Sequence, residues 1–351
     1  MSKKCIENYE NEHGTDGVLF QELAKMDFNN VQSLHQRELL EVSLWWRNLG
    51  LARKLNFARD QPIKWYIWSM ATLTDPIFSE QRIDLTKPIS LVYMMDDVFD
   101  VYGTLDELVL FTEAINTWEV DNMEGLPYSM KILLKALYDI TEEISDKILK
   151  RHGWNPTSSL RKAWARLCNA FLVEAKWFAS GHLPTAEEYL KNGVISTGVH
   201  VVFVHIFFLL GEGINKESVD LVDNIPSLIY CPAMILRLWD DLGVPRYFLY
   251  HRDENQQGYD GSYLECYLKE HPSSTIESAK EHVFSMISNT WKKLNEEYLS
   301  PSPFSLSFKK TSLNAARMVC HMYNYDENQR LPSLEKHIKS LLYESIPLHN
   351  N

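Results

Sequence analysis

The chain has 351 residues, 45% of them hydrophobic and 12% aromatic, with a formal net charge of -12 and a sequence pI of about 5.5. That length supports one large domain or two small ones around a sizeable buried core. The acidic balance excludes a general nucleic-acid binder, which needs a basic face to neutralise phosphates. It leaves room for an anionic ligand held through divalent cations.

Taken in chain order, the opening stretch "MSKKCIENYENEHGTDG" is acidic and has no apolar run. It reads as neither a secretory signal nor an Arg/Ser-rich transit peptide, so a cytoplasmic chain is expected, or a plastid one if the N-terminus is truncated. Residues 1–27 are expected to be a loosely ordered segment, and the last few residues likewise. From Val31 to Leu49 apolar residues fall three and four apart, and Gly50 is a helix stop. "IKWYIWSMATL" and "PISLVYMMDDVFDVYG" follow, with Pro88 suited to a first helical turn and Gly103 to an end. Helical periodicity continues through "SMKILLKALYDITEEISDKILKRHG", "SLRKAWARLCNAFLVEAKWFASG" and the segments beyond, to "SLNAARMVCHMY" and "SLEKHIKSLLYESI". The run Val194–Leu210 is long and apolar but carries Ser196, Thr197, His200 and His205, and reads as a buried core helix rather than a membrane span. Five cysteines are scattered without a CxxC pair, which fits reduced thiols. With no alternating strands and no repeat, the expectation is a single all-α domain over residues 28–351, a helical bundle around an apolar pocket.

Two clusters of carboxylates carry the chemistry. "MMDDVFDVYG" puts Asp96, Asp97 and Asp100 at the end of an apolar helix, with Asp96 and Asp100 at i and i+4 on one face. Like charges at that spacing destabilise a helix, and the negative end of the macrodipole adds to it. A divalent cation would offset both, and carboxylate oxygens suit Mg²⁺. A solvated helix end could carry the same acids, but a second pair, Asp240 and Asp241, closes another apolar helix in "RLWDDLG". Two acidic helix ends facing across one pocket would form a Mg²⁺–diphosphate site. Arg59 and Arg237, the latter three residues before Asp240, suit phosphate recognition.

The residues now on the page resemble class I terpene synthases of plants. "DDVFDVYGTLDEL" is similar to the family's aspartate-rich motif, "FARDQPIKWY" to its upstream Arg motif, and "RLWDDLG" to the start of its second metal motif. "DENQQGYDGSYLECYLKEH" is similar to the segment after that motif. The resemblance runs from about Asp27 to about Leu348. Many members read RxR where this chain has Gln61 in second place, and the wording around "RDQP" resembles the linalool and nerolidol synthases. The family's complete chains usually carry an N-terminal helical domain before the catalytic one, so the resemblance implies an isolated catalytic domain or a truncated product.

The resemblance implies a mechanism. Three Mg²⁺ ions, with Mn²⁺ as an alternative, bind the diphosphate of geranyl or farnesyl diphosphate. Asp96 and Asp100 hold two metals and Asp240 the third, with Asp97 and Asp241 in the same clusters. Arg59 and Arg237 grip phosphate oxygens while the C–O bond ionises. Trp68 belongs to the aromatic wall that faces the allyl cation. "ISTG", Ile195–Gly198, breaks an otherwise apolar helix and turns backbone carbonyls toward the pocket. Water capture yields an acyclic alcohol, linalool or nerolidol, from a chain acting as a monomer without a nucleic-acid or membrane partner.

One departure stands out. The family's second metal motif places oxygen ligands at i, i+4 and i+8, but counting from Asp240 this chain has Val244 and Phe248. Pro245 interrupts the helix, and "DENQQG" arrives about six residues late, as after an insertion in "VPRYFLYHR". Glu254 is the candidate replacement ligand. The competing expectation is a helical fold that has lost its third metal and its activity.

Overall fold

The structure, a computed structural model, describes residues 14–55, 57–119, 124–243, 261–323 and 332–348. Helix is the only regular secondary structure among them, as the periodicity predicts. The chain opens with α1 (Gly14–Leu49), a short α2 (Leu51–Lys54) and α3 (Pro62–Thr72). After a turn come α4 (Ser79–Asp97), a π turn at Val98–Tyr102, α5 (Leu105–Thr117), α6 (Tyr128–His152) and α7 (Thr157–Ser180). Then follow α8 (Ala186–Ser196), α9 (Val199–Leu210), α10 (Lys216–Asp223) and α11 (Ser227–Gly243). The chain finishes with α12 (Tyr263–Glu270), α13 (Ile276–Leu299), α14 (Leu306–Met322) and α15 (Pro332–Leu342).

α1 corrects the first expectation. It runs for 36 residues, so residues 14–27 continue the helix instead of lying loose. The reason is tertiary and polar. Gln32 and Gln36 donate side-chain hydrogen bonds to the carbonyls of Leu341 and Leu342, at 3.1 and 2.6 Å. Asn29 both donates to the Ile346 carbonyl and accepts from the Ile346 N–H, at 2.8 and 2.9 Å. These amides satisfy the carbonyls that the end of α15 leaves without intrahelical partners. They also tie down the chain as far as residue 346, close to an end that the sequence left loose. No apolar periodicity announces such bonds.

Pro88 is a second correction: it sits well inside α4 rather than in its first turn. Its neighbours Leu85, Ile89 and Leu91 are buried, and burial on both sides holds the helix through the missing N–H. Upstream, Arg82 is fully enclosed and forms a fork on Glu38 of α1, Nε to Oε2 at 2.8 Å and Nη2 to Oε1 at 2.6 Å. Tyr66 of α3 donates to the same carboxylate at 2.7 Å. That buried triad joins α1, α3 and α4. α11 also contains a proline, Pro232. A proline strips the carbonyl four residues earlier of its donor; here the Ser312 hydroxyl of α14 donates to the Leu228 carbonyl instead.

The apolar run at Val194–Leu210 is broken, not continuous. α8 stops at Ser196 and α9 starts at Val199, with Gly198 between them at φ 69°. A Cβ there would come within 2.5 Å of Val92 Cγ1, so the site needs glycine for both backbone sign and space. The stretch Ala186–Leu210 is apolar and long enough to cross a membrane, as is Lys216–Gly243; 83% of the window in the first lies inside the fold.

Candidate functional site

Among the described residues, six helices line a cavity of about 210 Å³. α3 contributes Lys64, Trp68 and Thr72 at i, i+4 and i+8, a stripe running down one face. α4 contributes Ile89, Val92, Tyr93 and Asp96, again three and four apart. Ser196, Thr197, Val199, Val202 and Phe203 come from the α8–α9 break, which is how a helix interruption becomes cavity wall. α11 adds Pro232, Leu236, Arg237 and Asp240; α14 and the residue after it add Ala315, Val319 and Tyr323. A larger cavity of about 530 Å³ lies between α1, α3, α14 and α15, but among the described residues neither Lys nor Arg lines it.

Charge is sorted within the smaller cavity. Arg59, Lys64, Asp96, Arg237 and Asp240 form one end, and Trp68, Ile89, Val92, Val202, Phe203, Leu236 and Val319 line the remainder. This arrangement suits a ligand with an anionic head and a hydrocarbon tail. The Trp68 indole donates to Tyr93 Oη at 3.0 Å, and its ring lies 6.5 Å from that of Tyr323. An aromatic wall thus stands where the sequence places Trp68.

Each acidic doublet divides its labour. Asp96 faces the cavity and pairs with Arg59 Nη2. Asp97, buried, accepts from the Arg59 backbone N–H at 2.7 Å and lies 2.6 Å from Arg59 Nε, a close ion pair rather than an aligned hydrogen bond. On α11, Asp240 faces the cavity and lies 2.6 Å from Arg237 Nη2. Asp241 is fully buried and takes hydrogen bonds from the Tyr189 hydroxyl at 2.9 Å, Arg237 Nε at 3.1 Å and the Tyr263 N–H at 3.0 Å. Both carboxylates of each doublet hold the arginine, but only the outer one lines the cavity. Gly193 makes room for this: a Cβ there would stand 2.8 Å from Arg237 Cδ.

The electrostatics follow the same division. Burial pushes Asp240 up to about 6, helped by Asp241 and Asp96 and opposed by Arg237. Its side chain keeps 37% of its surface open at the cavity mouth, so further positive charge can reach it. Burial also raises Asp97, against the pull of Arg59. Arg59 itself loses solvent, yet Asp96 and Asp97 hold its pKa above the ordinary value. Such a set, hard oxygens short of positive charge, fits Mg²⁺. Asp96 and Asp240 are the carboxylates that line the cavity.

Other sequence-derived candidates fall elsewhere. Asp100 lies in the π turn, exposed, and borders a separate crevice with Phe99, Gly103, Leu105 and Phe171. The i, i+4 argument for a face shared with Asp96 assumes α geometry; a π turn carries an extra residue and rotates Asp100 away. Asp241 is enclosed by three donors rather than turned to the cavity. Glu254, with Val244 and Phe248, lies outside the described residues. Among the described residues no three His, Cys, Asp or Glu side chains converge as a ready metal centre. Sequence reading missed Lys64 and Tyr93. The α3 stripe through Trp68 was the available signal for Lys64.

The helical bundle sets a charged mouth over an aromatic and apolar floor. Residues 47–293 match the terpene synthase family, metal binding domain, and the chain belongs to that family. It is 58% identical to an (E)-nerolidol synthase of Cannabis sativa, over 92% of this chain and 58% of that protein. It is 53% identical to the chloroplastic S-(+)-linalool synthase of Arabidopsis thaliana, over 91% of this chain and 55% of that protein. The chain therefore spans a little over half the length of these curated relatives. The isoprene synthase of grey poplar, in complex with three Mg²⁺ ions and dimethylallyl-S-thiolodiphosphate, superposes with a TM-score of 0.89 at 36% identity, covering 98% of this chain and 65% of that one.

Proposed function

We propose that this chain ionises geranyl or farnesyl diphosphate with Mg²⁺ and captures water to give an acyclic terpene alcohol, linalool or nerolidol. The observation that carries the reading is the cavity's division into a charged mouth and an aromatic, apolar floor. Similarity to nerolidol and linalool synthases supports the alcohol product. Bound Mg²⁺ supplies charge that stabilises the departing pyrophosphate. Asp96 and Asp240 present oxygens to it. Arg59 and Arg237, already aimed at the mouth by Asp97 and Asp241, exchange carboxylate for phosphate oxygens. Trp68, Tyr93 and Tyr323 turn aromatic surface toward the allyl cation, and the aliphatic side chains around them restrict water.

A second reading keeps the fold and the diphosphate site but not turnover. It is favoured by the absence of three converging carboxylates among the described residues and by Val244 and Phe248 at the expected ligand spacing. Incubating the folded chain with each diphosphate and Mg²⁺, then analysing volatiles, separates the two. Linalool or nerolidol above a no-enzyme control supports catalysis; no product from well-folded protein sinks it. Deleting the insertion and placing Thr at 244 then restores product if that lesion is responsible.

A further inference from the structure

We propose that Lys64 is a diphosphate-binding residue of this site, a third cation beside Arg59 and Arg237 and the one that no carboxylate holds beforehand. The proposal rests on the diphosphate reading above and adds a residue to it.

Among the described residues three cationic side chains line the cavity: Arg59, Lys64 and Arg237. Arg59 is held by Asp96 and Asp97, and Arg237 by Asp240 and Asp241. Lys64 makes no hydrogen bond and no ion pair with any described residue. Its ammonium lies 5.7 Å from the centroid of the Tyr93 ring, whose neighbourhood Arg59 also occupies at 5.0 Å. Burial and the nearby Arg59 lower its pKa, while Asp240 and Asp96 pull the other way. A partly desolvated ammonium without an acceptor is costly, and an incoming anion relieves the cost.

The fold explains why Lys64 points there. α3 starts at Pro62, so Lys64 falls on the helix face that also carries Trp68 and Thr72. One stripe therefore runs from cation to aromatic wall, the order in which head and first isoprene unit of a prenyl diphosphate would meet it. Gln61, at the N-cap of the same helix, is exposed and contributes nothing to the lining. Lysine acts as a point charge on phosphate rather than a fork, so arginine at 64 preserves the role.

The test uses the 351-residue chain, inorganic pyrophosphate and Mg²⁺ in titration calorimetry. Lys64→Gln and Lys64→Met weaken pyrophosphate binding by about tenfold or more, the loss of one charge-assisted hydrogen bond. Lys64→Arg stays within about threefold of the unaltered chain on the same scale. The thermal transition is checked for each; Lys64→Met keeps the stem packed on Tyr93 if Lys64→Gln fails to fold. Unaltered binding by both neutral variants overturns the proposal. If the parent chain binds no pyrophosphate at any Mg²⁺ concentration, the diphosphate reading falls, and the Lys64 role with it.

Discussion

Within each acidic doublet one carboxylate looks outward and its neighbour looks inward, and the two should behave oppositely on substitution. Asp241 is enclosed by Arg237, Tyr189 and the Tyr263 N–H. Replacing one partner of a buried ion pair strands the other, at about 3–5 kcal/mol. Asp241→Asn is therefore expected to lower unfolding free energy by about that amount in urea titrations. Asp240→Asn is expected to change stability by less than about 1 kcal/mol, because it removes a like charge from Asp96 and Asp241 at the cavity mouth. It is instead expected to weaken Mg²⁺-dependent pyrophosphate binding. Equal stability losses in both variants would refute the division. The sequence displayed both aspartates of each pair, but not which one faces the ligand, because adjacent helix positions differ by a rotation that only packing fixes.

At the scale of elements, the end of α4 is the most consequential. The π turn at Val98–Tyr102 carries Asp100 into a different crevice from Asp96. For Asp100 to join a metal set with Asp96, that turn must rewind to α geometry. Hydrogen exchange at the amides of Val98–Tyr102 is then expected to slow when Mg²⁺ and pyrophosphate are added together. Unchanged exchange under saturating ligand would leave Asp100 outside the set. At the same scale Pro88, expected in a first helical turn, lies inside α4 where burial holds the helix, and Pro232 lies inside α11 where a hydroxyl from α14 takes up the freed carbonyl. Sequence periodicity revealed the helices well and their edges poorly, because edges depend on partners distant in the chain. Gln32 reaching the carbonyl of Leu341 is such a partner.

For the whole molecule, the fold class and the family were legible, since apolar spacing and several ordered motifs point the same way. The break at Gly198 was also announced, by "ISTG"; the length of α1 was not, since it answers to a three-dimensional neighbour. The Glu38–Arg82–Tyr66 triad is the clearest case, joining three helices through two buried charges. Burial alone would raise Glu38, but hydrogen bonds from Arg82, His35, Ser79 and Tyr66 bring it down to about 2. A depressed carboxylate stabilises the fold above its unfolded pKa and stops doing so as pH falls through the folded one. The parent chain should thus lose stability as pH drops from about 4.5 toward about 2, on the carboxylate scale. Glu38→Gln is expected to cost about 3–5 kcal/mol at neutral pH, leaving Arg82 buried and unpaired, and to flatten that acid limb. Chemical unfolding across the pH range checks both.

The mouth of the cavity has a consequence for kinetics. Among the described residues, Arg59, Lys64 and Arg237 there stand against Asp96 and Asp240 in the lining and Asp97 and Asp241 behind them, on a chain whose overall charge is -12. Such an entrance exerts no long-range pull on a bare polyanion and cannot accelerate its diffusional capture. Magnesium and diphosphate should therefore arrive as one neutralised complex, with an association rate that responds weakly to ionic strength and steeply to the free divalent ion.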